Sequence, residues 1–282
     1  MADQIEPLDL RDLVDPLVVM AFSGWNDAGL AATQTVEHLQ EVAEARELFT
    51  LDPEEFYDFQ VHRPQVSRPD PTETTIHWPA TTLSTGVIGG RHVLFISGPE
   101  PNFRWRAYAN QLMSGILSAR PSMVVLLGAL LADTPHTRPI PVSGSASDLR
   151  LADDLGLELS TYEGPTGILG VMTQACQQAD LDTVSLWAAV PHYVSSSPCP
   201  KATLALVHRL EDLLDTPLEQ GELPDLARAW ERGVAELAED DTEIAEYVAG
   251  LEQEQDAAEL PEATGDAIAA EFQRYLRRRN QT

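Results

Sequence analysis

Four loops of the sequence contain side chains that could bind a ligand or transfer a proton. Each loop follows an apolar run of strand length, and carboxylate, imidazole and guanidinium groups are those that hold anions or act as acids and bases. The loops are 24–29, 97–106, 128–138 and 191–195, and their candidates are Trp25, Asn26, Asp27, Glu100, Asn102, Arg104, Arg106, His136, Arg138, His192 and Tyr193. If the preceding strands are parallel, all four loops lie at one edge of the sheet, where ligands usually bind. We therefore expect these residues to surround a pocket.

Some of these residues have a simpler explanation. Asp27 and Asn102 each precede an amphipathic segment and could be helix caps instead of ligands. Arg104 and Arg106 lie in the first turn of a predicted helix, where positive charge opposes the helix dipole. An acidic group should compensate them, and Glu100, a carboxylate across a subunit interface or a bound anion could do so.

Positive charge in these loops contrasts with an acidic protein. We predict that an anion binds where Arg104, Arg106, His136 and Arg138 come together. The Gly164–Gly167 turn could hold a further anion at a helix start, or it could be a plain tight turn.

Standard catalytic motifs are missing. The sequence contains no Gly-x-Ser-x-Gly elbow, phosphate-binding P-loop, His-Glu-x-x-His motif or Gly-x-Gly-x-x-Gly fingerprint. The seven histidines lack metal-ligand spacing, so we expect neither a metal nor a cofactor. The pattern indicates a pocket but names no catalytic residue and no reaction.

Strands and helices alternate along the first two thirds of the chain. Apolar runs predict core strands at Leu17–Phe22, His92–Ile96, Met123–Leu127 and Val184–Val190, and the third is expected to break at Gly128. Weaker patterns predict strands at 47–51 and 157–162, and helical spacing follows in segments such as 32–43, 102–116, 147–155, 168–179 and 200–214. This order is typical of an α/β fold with a mostly parallel sheet between helical layers.

Residues 52–90 interrupt this pattern with prolines and aromatic side chains. We predict an excursion with a hairpin, whose arms are Thr74–Trp78 and Thr85–Ile88. Phe56, Tyr57, Phe59 and Trp78 would leave an exposed apolar patch there, so we expect the excursion to mediate oligomerisation.

The composition changes after residue 215. Between Glu211 and Glu262 there are 18 acidic and 2 basic residues, a net charge of −16 out of −27 for the chain. Apolar residues still recur at helical spacing, ending with Ile268, Phe272, Tyr275 and Leu276 before Arg277–Arg279. We predict a core domain at 1–215 and an acidic helical subdomain at 216–282 that covers the Trp25 loop.

Net charge and targeting signals limit the partners and the location. A charge of −27 disfavours nucleic acid and anionic membranes and suits a basic protein partner. No signal-peptide pattern is present, and the longest apolar run, Met123–Ala132, is too short to span a bilayer. We therefore expect a cytoplasmic protein in which Cys176 and Cys199 are buried or idle thiols.

The sequence resembles the PAC2 (proteasome assembly chaperone two) family, specifically its actinobacterial branch. The segments that carry the resemblance are AFSGWNDAG at 21–29, SGPEPNFRW at 97–105, LADTPHTRP at 131–139, YEGPTGI at 162–168 and AVPHY at 189–193. The resemblance implies a three-layer αβα sandwich similar to purine nucleoside phosphorylases and peptidyl-tRNA hydrolases. It also implies a β-hairpin used in oligomerisation, a trimer, and a C-terminal helical lid.

Two functions follow from this resemblance. The first is a non-enzymatic adaptor or assembly chaperone for a cytoplasmic protein partner, such as proteasome subunits or another assembly. The second is a small-molecule-binding protein or an enzyme, phosphorylase-like, hydrolase-like or ligase-like, with a pocket at the carboxyl ends of the strands. The missing catalytic motifs favour the first, and a ligase fits poorly with a single lysine and no glycine-rich phosphate loop.

Overall fold

The computed structural model describes residues 10, 13–70, 72–194, 197–239 and 241–259. The strands in these residues are β1 (Leu17–Ser23), β2 (Arg46–Thr50), β3 (Gln65–Asp70), β4 (Glu73–His77), β5 (Thr82–Ile88), β6 (Arg91–Pro99), β7 (Met123–Ala132), β8 (Val142–Ala146), β9 (Glu158–Leu159) and β10 (Thr183–Pro191). The α-helices are α1 (Ala31–Val42), α2 (Trp105–Ala119), α3 (Leu149–Leu155), α4 (Ile168–Gln178), α5 (Pro200–Leu214), α6 (Leu223–Glu239) and α7 (Thr242–Glu259).

Eight of these strands form one sheet in the order β2-β5-β6-β1-β7-β10-β8-β9. The four central strands are parallel, with Leu17 of β1 paired with Val93 of β6 and with Met123 of β7. Strands β5 and β8 join the central strands in antiparallel pairs. The predicted mostly parallel sheet is confirmed, and the carboxyl ends of β6, β1, β7 and β10 lie along one edge.

Helices cover both faces of this sheet, as expected for the three-layer αβα fold. Val19 and Val125 belong to the apolar core shared with α1, α3 and α5, whereas Val18 and Val124 belong to the core shared with α2 and α4. Successive residues of a strand point to opposite faces, so a strand covered on both sides must be apolar throughout. This is why the central strands appear in the sequence as unbroken apolar runs.

Strand β7 is longer than predicted because it continues through Gly128. A Cβ atom at this position would lie 2.6 Å from the ring of Trp187 on the neighbouring β10, so glycine makes room for the tryptophan instead of ending the strand. The following loop therefore begins at Asp133. Strand β8 was not predicted, and β9 spans two residues instead of 157–162.

The predicted pairing within the excursion was wrong. The hairpin consists of β3 and β4, with Val66 opposite Ile76, whereas β5 belongs to the main sheet and pairs with β6. A two-residue turn at Gly89 and Gly90, both with positive φ, connects β5 to β6. Gly-Gly between two extended segments is a standard signal for a tight hairpin, so the sequence did contain this information.

Helices α6 and α7 follow the end of α5 at Leu214. Helix α6 packs on α5, and its Leu223 and Trp230 contact the same apolar core as α1 and α5. Within the described residues, none of the helices is long and apolar enough to cross a bilayer. The last predicted helix, with Ile268 and Phe272, lies outside the described residues, and the division at residue 215 stays a prediction.

Candidate functional site

The predicted site residues lie in loops along the carboxyl edge of the sheet, in two groups. The site residues between Trp25 and Arg106 follow β1 and β6, and they form one group because these two strands are neighbours. The residues from 136 to 193 follow β7 and β10 and form the second. Each group has its own hydrogen-bonding partners.

In the first group, Asn26 and Glu100 join three loops. The buried Asn26 donates from Nδ2 to Oε1 of Glu100 over 3.0 Å, and the backbone N–H of Ile168 donates to the same oxygen over 2.7 Å. Gly167 allows this approach, since a Cβ atom there would lie 2.3 Å from Asn26. Glu100 therefore supplies the negative charge at the start of α4. The Gly164–Gly167 turn carries a carboxylate of the chain itself at its helix start.

Asp27 acts as a cap for α1. Its Oδ1 accepts the backbone N–H of Ala32 over 2.7 Å, and its Oδ2 accepts the hydroxyl of Thr33. Burial raises the pKa of Asp27, and these hydrogen bonds to the carboxylate partly offset the increase. The capping alternative therefore describes this residue.

Asn102 does not cap a helix, although this was one of its two predicted roles. Its Oδ1 accepts the backbone N–H of Asp58 over 2.8 Å and so anchors the excursion, while α2 begins after Arg104. Arg104 is compensated by Glu55, with Nη1 3.0 Å from Oε2, and not by Glu100. Arg106 is exposed on the first turn of α2.

Three aromatic side chains are exposed in the loops that the hydrogen bonds of Asn26 and Glu100 join. Trp25 is 64% exposed beside Asn26, and Phe103 is 50% exposed three residues after Glu100. Tyr162 is 67% exposed, and its hydroxyl donates to the carbonyl of Pro165 in the turn before α4. Trp25 is therefore not covered by α6 or α7.

In the second group, the buried His136 is paired with the half-buried Tyr193. The Tyr193 hydroxyl oxygen accepts the backbone N–H of His136 over 2.7 Å and lies 2.8 Å from Nδ1 of the same residue. In the neutral imidazole one ring nitrogen carries the hydrogen, and Nδ1 can either accept from this hydroxyl or donate to it. Burial lowers the pKa of His136, and the charge of Lys201 adds to this effect. Burial also raises the pKa of Tyr193 to about 12.

Helix α7 covers this second group. Arg138 binds both carboxylate oxygens of Asp256, over 2.8 and 2.9 Å, and contacts Glu252 over 3.2 Å. The Tyr247 hydroxyl donates to Asp133 over 2.9 Å, and its ring packs edge to face on His192 and Tyr193. The predicted lid therefore contacts the loops after β7 and β10 and not the Trp25 loop, as far as its two described helices are concerned.

Lys201, the only lysine of the chain, holds α6 against α5. Its ammonium donates to the carbonyl of His136 and to Oε2 of Glu231, the latter over 2.5 Å, and its side chain is 14% exposed. Sequence analysis missed Lys201, Glu231, Tyr247, Glu252 and Asp256. The four-residue spacing of Glu252 and Asp256 on a predicted helix was the available signal, because it places both carboxylates on one face.

These contacts limit the chemistry of the edge. Of the four predicted anion-binding residues, Arg104 and Arg138 pair with carboxylates of the chain, and burial favours a neutral His136. Anion binding at Arg106 stays a prediction. In the part of the chain that the structure describes, no three His, Cys, Asp or Glu side chains are arranged to hold a metal.

Two cavities and Cys176 lie away from this edge, whereas the backbone N–H of Cys199 donates to the carbonyl of Gly29 in the Trp25 loop. Two open cavities of about 500 Å³ include His92 at the start of β6, on the opposite edge of the sheet, and neither is lined by a predicted site residue. Cys176 and Cys199 are buried free thiols, and burial raises the pKa of each to about 11. Both thiols are therefore protonated at neutral pH, as expected for idle cysteines.

Comparison with known proteins identifies the family. The family model described as the PAC2 family matches residues 21–238. The structure of a PAC2 family protein from Streptomyces avermitilis is 52% identical, covers 83% of this chain and 100% of its own, and superposes with a TM-score of 0.78. A proteasome-assembly chaperone homologue from Mycobacterium tuberculosis is 48% identical, with coverage of 82% and 99% and a TM-score of 0.75.

A more distant structure shares the fold. PbaB from Pyrococcus furiosus, an archaeal proteasome activator, is 14% identical, with coverage of 80% and 94% and a TM-score of 0.65. A search of curated proteins found no significant match. Since the family model spans most of the chain and two actinobacterial structures are about half identical to it, this chain belongs to the PAC2 family.

Proposed function

We propose that this protein is a non-enzymatic adaptor or assembly chaperone that binds a cytoplasmic protein partner, such as a proteasome subunit or another assembly. The observation that carries the proposal is the 48% identity to a proteasome-assembly chaperone homologue over 99% of that chain. Because function depends on the residues of a site and not on the fold alone, the exposed residues at the carboxyl edge of the sheet provide the second line of support.

The first group of site residues supports a binding role. Asp27, Glu100 and Asn102 accept hydrogen bonds from backbone N–H groups and thus hold the loops in place. Trp25 and Phe103 are exposed in these fixed loops, and Arg106 is exposed in the first turn of α2. Aromatic and arginine side chains on a rigid support are typical of the residues that dominate protein interfaces.

The overall charge supports a partner of opposite sign. A charge of −27 accelerates encounter with a basic surface and repels acidic ones, at ionic strengths where the field extends beyond the surface. We therefore propose a partner that presents a basic patch with apolar residues at its centre. Trp25 and Phe103 would fill that centre.

Affinity capture with matched variants tests the function. The double variant Trp25→Ser and Phe103→Ser should lose the proteins that the wild-type protein captures from native cytosol. Leu149→Ser is the control, because Leu149 is equally exposed but lies on α3, near the amino end of β10. Mass spectrometry of proteins and of metabolites is the readout. If a metabolite is captured, and no protein is captured that requires Trp25 and Phe103, the adaptor function is contradicted. This result would favour the small-molecule alternative.

A further inference from the structure

Helix α7 is held on the protein mainly by polar contacts. Among its described side chains, only Val248 and Leu251 are buried, although the helix has 18 residues. Apolar burial is the main source of stable helix docking, so a helix with two buried apolar side chains is bound weakly by this criterion. Its remaining attachment comes from specific hydrogen bonds and ion pairs.

The surface beneath α7 is well defined, and we call it the latch face. It consists of Asp133, Thr137, Arg138, His192 and Tyr193, at the carboxyl ends of β7 and β10. Arg138 is its central residue, because the guanidinium makes a two-pronged contact with Asp256 and a third contact with Glu252. A planar guanidinium recognises carboxylates with defined geometry, so this is a recognition contact as well as an attraction.

The latch face selects one kind of helix. Its occupant presents two carboxylates four residues apart to Arg138. It also presents an aromatic ring, five residues before the first carboxylate, to His192 and Tyr193. The rest of the protein is strongly acidic and would repel such a helix. The face therefore makes specific contacts to a segment that the remainder of the surface disfavours.

We propose that α7 occupies, within the chain, the binding site of an acidic helix from a partner protein, and that this partner helix displaces α7 when it binds. The inference rests on the proposed function, because it assigns a second contact to the same protein partner, whose acidic helix lies outside the basic patch that meets Trp25 and Phe103. The partner helix carries an aromatic residue followed, five and nine residues later, by carboxylates, as Tyr247, Glu252 and Asp256 are arranged in α7. Helix α7 then keeps the site closed until a partner helix that binds the latch face more tightly displaces it.

A buried nitrogen next to this site fits a substitute occupant. His136 is 2% exposed, and its Nε2 has no hydrogen-bond partner among the described residues. His136 is close enough to α7 for the charge of Glu252 to act on it. An unpaired buried nitrogen is unfavourable whether it carries the ring hydrogen or a lone pair, so the closed arrangement leaves this polar group unsatisfied. A partner helix that provided a hydrogen-bonding group for this nitrogen would relieve this cost.

The test uses a labelled peptide with the sequence of residues 242–259 and the full-length protein. In the double variant Glu252→Gln and Asp256→Asn, the chain's own α7 loses its contacts to Arg138 and should leave the site. We expect the peptide to bind this variant roughly tenfold more tightly than the wild type, measured by fluorescence anisotropy. Glu246→Gln with Glu254→Gln is the control, since it makes the same charge change at exposed positions of the same helix.

Two further reagents make the result specific. Adding Arg138→Gln to the double variant should weaken peptide binding roughly tenfold again. A peptide of scrambled sequence with the same charge should not bind. Equal affinities for the wild type and the double variant, or binding that does not depend on Arg138, would overturn the inference. If circular dichroism shows that the double variant is unfolded, Asp256→Asn alone replaces it, because this side chain is half exposed.

The peptide titration fails or succeeds independently of affinity capture. Capture that depends on Trp25 and Phe103 without any peptide binding would leave the adaptor function intact and remove the role of α7. Peptide binding without any captured protein would contradict the adaptor function, while the site beneath α7 would still accept an acidic helix.

Discussion

The reactivity of one atom, Nζ of Lys201, reports on the contact between α5 and α6. Its ammonium lies between Glu231 and the carbonyl of His136, with the side chain 14% exposed, and the chain contains no other lysine. We expect amine acylation of Lys201 to be slow in the native protein and roughly fivefold faster in Glu231→Gln. This factor corresponds to the loss of about 1 kcal/mol from a partly exposed ion pair. Peptide mass spectrometry gives the labelling rate.

Glu236→Gln is the control for this labelling experiment, because Glu236 is an exposed residue of the same helix. If Lys201 were acylated as fast in the wild-type protein as in the unfolded chain, the ammonium could not be held in this contact.

Glu100 is predicted to be the most sensitive carboxylate of the first group. Glu100→Ala removes the acceptor for Asn26 and for the first N–H of α4, and both donors are buried. We expect a loss of about 2–4 kcal/mol in the free energy of unfolding, measured by urea denaturation. Glu100→Gln should cost less, because it retains an acceptor oxygen. Glu163→Ala, at an exposed position, should have no effect, and equal stabilities of Glu100→Ala and Glu163→Ala would refute the capping role.

At the scale of residues, the sequence predicted which side chains matter but not their partners. The capping role of Asp27 could be predicted because its donors lie only five and six residues away in the helix that follows, although Leu30 occupies the N-cap position itself. Asn26 and Glu100 are 74 residues apart, and Arg104 meets Glu55 on the excursion. Such pairs depend on how the strands are ordered in the sheet, and no local pattern contains that information.

At the scale of elements, the excursion at 52–90 is predicted to mediate oligomerisation, and we now assign this role to its hairpin of β3 and β4. The aromatic residues that suggested it were partly the wrong ones, because Phe56 and Tyr57 are buried in the core. Val66 and Ile76 are exposed opposite each other on the hairpin, and Trp78 follows β4. Three exposed apolar side chains on a two-stranded hairpin still favour an interface.

Substitution of the hairpin tests this expectation without damage to the core. Val66→Thr with Ile76→Thr keeps β-branched residues in both strands while it removes apolar surface. We expect the wild-type protein to be an oligomer, a trimer by family resemblance, and the double variant to dissociate when its mass is measured by light scattering. Val87→Thr, at an exposed position of β5, is the control. An unchanged mass would exclude the hairpin as the interface.

Whether a strand could be predicted from the sequence depended on how completely it is buried. The four central strands are buried on both faces, so their apolar runs were sufficient evidence. Strand β8 consists of Val-Ser-Gly-Ser-Ala and is defined by its pairing with β10, because its side chains carry no strand pattern. The excursion was misassigned because the Gly89-Gly90 turn, and not a pairing with residues 74–78, determines the partner of β5.

At the scale of the whole molecule, His136 links stability to pH. Burial lowers the pKa of His136 below its ordinary 6.5, and Lys201 adds to this effect while Glu231 and Glu252 oppose it. Since the unfolded chain then binds the proton more readily, stability is lost as the pH falls from 6.5 through the folded pKa. We expect the free energy of unfolding to decrease less between about pH 6.5 and 5 in His136→Gln than in the wild type. His77→Gln, on the exposed hairpin, should retain the full decrease.

Ionic strength acts on α6 and α7 in two opposite ways. Glu231, Glu252 and Asp256 pair with Lys201 and Arg138 at contact distance, so part of the acidic charge faces the core and stabilises docking. The other acidic side chains of these helices repel one another and the rest of a molecule with a charge of −27. Salt screens charges that are separated by more than a Debye length more effectively than partly buried contact pairs. Added salt should therefore remove more repulsion than attraction.

We accordingly expect the segment between α5 and α6 to be cut faster at low ionic strength. The Debye length falls from about 30 Å at 0.01 M salt to about 10 Å at 0.1 M, and long-range repulsion is screened over this range. A glutamate-specific protease should cleave after the exposed Glu219 and Glu222, with rates normalised to an uncharged reporter peptide at each salt concentration. Arg138→Gln should be cut faster than the wild type at both concentrations, because it loses attraction while the repulsion remains.

A rate that rises with salt would mean that the contact pairs dominate. A released C-terminal fragment with its own cooperative melting transition would mean that the acidic helices fold independently of the core.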